Sequence, residues 1–167
     1  LRGEDFSLQK LEFSNLLKRM DIKIKKNETE QLTKEILENI DLLIIGNPID
    51  DFFSSLEIKY IIDYVRRGGA LFLLSEYGAD YLQKTNLNDI AAKFGIFFEK
   101  NTVKESNGAN QNCTSILHLQ DFLKHQITKS LREIIIGGSC SLYLSKDVMP
   151  LLKTNDNAVW SEVYNST

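Results

Sequence analysis

An open α/β sandwich of the flavodoxin or Rossmann type, three layers around a mostly parallel sheet, is what this sequence predicts, and three observations predict it. Asp41 to Gly46 is a short apolar run bounded by Asn47 and Pro48, as a strand buried on both faces would be. Ile58, Ile61, Ile62 and Val65 then fall at i, i+3, i+4 and i+7, the stripe of an amphipathic helix, and Gly68 and Gly69 supply its stop. Ala70 to Leu74 is a second buried run. A helix between two strands needs a crossover, so the strands should be parallel with the helix packed across them.

The other elements follow in order. Leu8, Leu11, Leu16, Leu17 and Met20 give the N-terminal segment a helical stripe, and Ile22 and Ile24 alternate with lysines as on a half-exposed edge strand. Asn27 to Gln31 is a polar connection; Leu32, Ile36, Leu37 and Ile40 mark a short helix. After Glu76 comes a polar turn, and Asn86 stands as an N-cap before the stripe Leu87, Ile90, Ala91 and Phe94, closed by Gly95. Ile96 to Phe98 reads as a strand, Asn101 to Asn112 as a loop, and Leu119 to Lys124 as a helical turn. Ile134 to Ile136 and Leu142 to Leu144 are late strands separated by Gly137 and Gly138. Domains of this type open on a central strand and this chain opens on a helix, so the first strand is expected to be missing, upstream of Leu1 or removed.

Composition narrows the classes. A chain of 167 residues forms one domain with a core of its own, placed at about residues 8–145, within a longer protein. A net charge of −3 leaves no basic stripe to approach phosphates, so nucleic acid is excluded and a protein partner or self-association, or a small molecule, is expected. No apolar run is long enough to cross a bilayer and no signal-peptide pattern opens the chain, which points to the cytoplasm. Cys113 and Cys140 fit reduced, buried thiols in that compartment.

Asp41 to Pro48, Phe53-Ser54 with Glu57, Tyr64 to Gly69, Leu73 to Glu76, and Thr85 to Asn88 followed by Phe94 to Ile96 together resemble the GIFT domain. That domain occurs in gliding-motility proteins and in a subunit of the intraflagellar transport B complex, and it is similar to DUF4350 and class I glutamine-amidotransferase-like domains. The resemblance runs from about Gln9 to Val103 and weakly on through His125 to Thr128 and Trp160; Gln126 departs from it where a proline is common. It implies a flavodoxin-like domain without the amidotransferase nucleophile, serving assembly or ligand binding.

The residues themselves offer few catalytic groups. An amidotransferase cysteine sits on a sharp turn after a buried strand, but the turn after Leu74 holds Ser75 and Glu76, and the carboxylate would oppose an attacking alkoxide. Cys140 follows two glycines and an isoleucine run, yet Leu142 to Leu144 continues as a strand instead of the helix a nucleophile elbow needs. His118 and His125 are too far apart on a helix to share one ion, so neither a metal nor a cofactor is expected. Polar groups at the carboxyl ends of the central strands, Asn47, Ser75, Glu76, Asn86 and Asn88, are the candidate lining of a ligand crevice, and their amides suit a hydroxyl-rich molecule such as a sugar. Three functions follow: a non-catalytic protein-interaction or assembly module, which leads; a small-molecule binding domain; and an amidotransferase-like hydrolase using Cys140 or Ser75.

Overall fold

The strand–helix–strand unit is built as the sequence predicts. Strand β1 (Leu42–Gly46) and strand β2 (Ala70–Leu74) are parallel, with Leu42 opposite Ala70 and Gly46 opposite Leu74, and helix α3 (Ser55–Arg66) connects them. The computed structural model describes residues 7–27, 30–106, 113–154 and 159–163, and the chain divides into two compact units, Leu1–Leu74 and Ser75–Thr167.

In the first unit, α1 (Ser7–Arg19) and the single turn α2 (Lys34–Leu37), capped by Thr33, precede β1. Helix α3 starts on a reciprocal capping box: the Glu57 amide donates to Ser54 Oγ at 3.3 Å, and the Ser54 amide donates to Glu57 Oε2 at 2.9 Å. It ends on Gly68 at φ +99, where the Gly68 amide reaches Val65 O and the Gly69 amide reaches Tyr64 O, the two bonds of a Schellman motif. A Cβ at Gly69 would fall inside the Tyr64 ring. The Tyr64 hydroxyl donates to Ala70 O at 3.1 Å, which ties the helix to β2. Leu32, Leu37, Ile45, Phe53, Ile61 and Tyr64 form the buried set.

The second unit is assembled differently. Helix α4 (Ala79–Gln83), helix α5 (Leu87–Ala91) and a 3₁₀ turn at Ala92–Phe94 lead through Gly95, at φ +75, into β3 (Ile96–Phe98). Short strands follow: β4 (Asn101–Ser106), β5 (Cys113–Thr114), β6 (Ile116–Leu119), β7 (Asp121–Phe122), β8 (Ile134–Gly137), β9 (Leu142–Leu144), β10 (Leu152–Lys153) and β11 (Val159–Val163). Every described pairing here is antiparallel: β3 with β9, β6 with β8, β7 with β10, and β4 between β5 and β11. In β6 and β8 the alternation sends Leu117, Leu119 and Ile136 inward, where they meet Val103 and Leu152.

This corrects the expected fold class. The chain is a set of small, mostly antiparallel sheets and few helices, not a parallel flavodoxin or Rossmann sandwich. Parallel neighbours need a crossover of a dozen or more residues, usually helical, and no helix is described beyond Phe94, so the late strands fold back on one another. The opening strand was expected only as part of that sandwich and is withdrawn with it; among the described residues β1 pairs with β2 in a two-stranded sheet. Leu42, Phe72 and Leu74 are exposed, so these strands are not buried on both faces.

Three local expectations also change. Ile22 and Ile24 belong to no strand, because alternation permits a strand but only a neighbour completes one. Leu119 to Lys124 carries the end of β6 and β7 instead of a helical turn, and Asn101–Ser106 is a strand where a loop was expected. Residues 107–112 of that loop lie outside the described residues.

Candidate functional site

Asn47 closes β1 in the first unit. Its amide extends the ladder to Leu74 O at 3.0 Å, its φ is +24, and both side-chain amide atoms are buried without a hydrogen-bond partner. Asparagine is among the non-glycine residues enriched at positive φ.

The other four candidates lie in the second unit. Ser75 and Glu76 are half-buried in the turn after β2; Glu76 O accepts from the Ala79 amide at 3.1 Å, and the neighbouring Tyr77 and Gly78 amides donate to Gly138 O and Asn101 O. Asn86 occupies the N-cap position of α5, yet its side chain makes no cap hydrogen bond and instead donates to Asp89 Oδ2 at 3.0 Å. The cap comes from Asp80, whose carboxylate oxygens accept from the Leu87 and Asn88 amides, each at 3.0 Å. Asn88 turns its side chain to β3: Nδ2 donates to Phe98 O at 3.0 Å and Oδ1 accepts from the Phe98 amide at 2.8 Å, as a paired strand would. Sequence reasoning missed Asp80 in this role because the amides it caps lie seven and eight residues further on.

Cys140 is a free, half-buried thiol pushed up to about 11, mainly by burial. The nearby Glu99 and Asp80 carboxylates push it further up, while its own backbone and the Ser75 hydroxyl oppose. The Ser75 contact is poorly aligned, since Ser75 Oγ has no partner of ordinary hydrogen-bond geometry. None of the groups that set the acidity of Cys140 is a histidine. A thiol so held is protonated at neutral pH, and the carboxylates near it disfavour the thiolate that a nucleophile would need.

Beside Cys140, Asn101 Nδ2 donates to Ser141 Oγ at 2.7 Å, the Ser141 amide donates to Asn101 Oδ1 at 2.9 Å, and the Ser141 hydroxyl donates to Glu99 Oε2. Asn101 is buried. This cluster stitches β4 to the segment before β9 across forty residues of sequence, and no periodicity links positions so far apart.

The histidines are separate. His118 lies on strand β6, exposed, with Nδ1 3.2 Å from Glu133 Oε1, and the Glu133 carboxyl is held low first by Gln120 and then by His118. His125 Nδ1 accepts from the Ile127 amide at 3.2 Å. Among the described residues no group of three His, Cys, Asp or Glu side chains could hold a metal ion, and no helix is long and apolar enough to cross a membrane.

Side chains that cap helices and splice strands, beside a thiol held protonated, define a domain of small sheets and short helices whose polar groups hold the fold together. The chain belongs to the IFT52 GIFT domain family, whose profile matches residues 2–108. It is similar to the solved mmIFT52 N-terminal domain, with a TM-score of 0.73 at 20% identity over 87% of this chain and 71% of that one, a likeness of fold. No curated protein matches. Membership of this family makes the chain a non-catalytic module of the intraflagellar transport type, acting through protein partners.

Proposed function

We propose that this chain is a cytoplasmic or ciliary assembly module that holds protein subunits of an intraflagellar transport B-type complex together. The match to the IFT52 GIFT domain carries the reading, and the use of Asp80, Asn88 and Asn101 on backbone groups and neighbouring side chains supports it. In the same reading the resemblance to DUF4350 and amidotransferase-like domains is one of descent without the nucleophile. The test is co-elution of the purified chain with recombinant intraflagellar transport B subunits in size exclusion. A stable complex is expected; elution of the chain alone from every subunit mixture overturns the proposal.

A second reading rests on one observation, the buried and unpartnered Asn47 amide. An orphaned amide costs about 1–3 kcal/mol, and a hydroxyl-rich small molecule would supply its missing donor and acceptor. Asn47 is the residue that this reading assigns to the ligand. Thermal shift against a panel of sugars checks it: a rise in midpoint that Asn47→Ala abolishes supports the reading, and no rise at millimolar sugar rejects it.

A further inference from the structure

Helix α1 carries an apolar stripe on its exposed side. Phe13, Leu16 and Met20 fall at i, i+3 and i+7, one face of the helix, and they are 40%, 53% and 62% exposed. The stripe does not stop where the helix does. Asp21 takes φ +57, its amide donates to Lys18 O at 3.1 Å, and the Ile22 amide donates to Leu17 O at 3.0 Å, so a Schellman motif folds Ile22, 43% exposed, back onto the last turn.

Charge at the C-terminal end of this stripe is mostly positive. Residues 18–26 hold five cations, Lys18, Arg19, Lys23, Lys25 and Lys26, against the single anion Asp21, in a chain whose net charge is −3. All five cations are exposed. Lys18 and Arg19 have an ordinary reason to be there, since cations in the last turn oppose the negative end of the helix dipole. Lys23, Lys25 and Lys26 lie beyond the helix in a segment assigned to no helix or strand, where that reason lapses.

We propose that Phe13, Leu16, Met20 and Ile22, with the lysines that follow, dock an acidic amphipathic helix of a protein partner. The proposal rests on the assembly reading and gives its partner a chemistry. A partner helix is read by anchors at i, i+3 and i+7, the spacing present here, and its acidic flank would meet the basic border while its apolar face covers the stripe. An anionic bilayer is the poorer match, because a helix lying in a membrane surface needs a broad apolar face, and this one is a narrow row with exposed Glu12 beside Phe13 and Asp21 at the other end.

The test uses the whole chain and two labelled synthetic probes with the same leucine pattern, one carrying glutamates and one carrying lysines. Fluorescence anisotropy should show the glutamate peptide binding, more weakly as salt rises, and the lysine peptide failing to bind. Leu16→Asp with Met20→Asp should weaken binding by roughly tenfold or more, and so should Lys23→Glu with Lys25→Glu, with unchanged circular dichroism. The second pair lies outside α1, so it keeps the test valid if the first melts the helix. Equal binding of the two peptides, or wild-type binding by the lysine variant, overturns the proposal. So does stripe-dependent binding to phosphatidylserine vesicles without glutamate-peptide binding, or stripe-dependent self-association in sedimentation. Variants of both pairs that still co-elute with intraflagellar transport B subunits while peptide binding fails leave the assembly reading intact and remove this one.

Discussion

Helices α3 and α5 both begin on a carboxylate, but the two carboxylates come from different places. In α3 the acid is Glu57, inside the first turn, and it returns to the amide of its own N-cap Ser54 while its second oxygen accepts from the Leu32 amide at 3.0 Å. In α5 the acid is Asp80, on the preceding helix, and the side chain at the N-cap position makes no cap hydrogen bond. A cap supplied from within the helix belongs to the helix, whereas one supplied from outside makes the helix depend on its neighbour. The first unit is therefore locally secured at α3, and the second is secured through contacts that span α4, α5 and β3.

The largest expected effect comes from removing the local acid. Glu57 is buried, and Glu57→Ala would leave the Leu32 and Ser54 amides without their acceptor as well as losing the capping box. A loss of about 3 kcal/mol is expected by urea unfolding, with faster hydrogen exchange at the Leu32 and Ser54 amides. A loss near zero would mean that water replaces the carboxylate and that the contrast between the two helices is one of geometry alone. Asn88→Ala should follow at about 2 kcal/mol, because Phe98 loses a donor and an acceptor together. An effect confined to β3 exchange, without a shift of the global midpoint, would show that this splice is not part of the cooperative core.

The same contrast decides what could be read from the sequence. Ser54 and Glu57 are three residues apart, a spacing fixed by the helix itself, and they appear in the motif Phe53-Ser54 with Glu57. The parallel pairing of β1 and β2 was legible for a related reason, since the connecting helix and its Gly68 stop lie in one continuous stretch. Asp80 and Asn101 were not legible as structural ligands, because their partners are set by how the chain folds back. The sandwich prediction failed there too: Ile96 to Phe98 and Leu142 to Leu144 are apolar runs that suit either strand direction, and their antiparallel pairing places Ile96 opposite Leu144 and Phe98 opposite Leu142, partners too distant in sequence to leave a local signal. At the candidate rim the sequence located Asn88 near a helix start, but the direction of its side chain toward Phe98 carries no local signal.

The smallest expected effect is the most discriminating, because it depends on pH. Burial raises the Asp80 carboxyl above its ordinary value although two backbone amides pull it down. A raised folded pKa means that proton binding stabilises the folded chain fully below the ordinary aspartate value and that this contribution is lost as pH rises through the folded value. Asp80→Asn has no such titration and keeps at best one of the two cap acceptors, so it should be about 1 kcal/mol less stable at neutral pH. The gap between the two proteins should then narrow as pH climbs through the acid range just above the ordinary aspartate value, measured as paired urea midpoints. A gap that widens instead would show that the Leu87 and Asn88 amides outweigh burial, and α5 would then be as well secured by its borrowed acid as α3 is by its own.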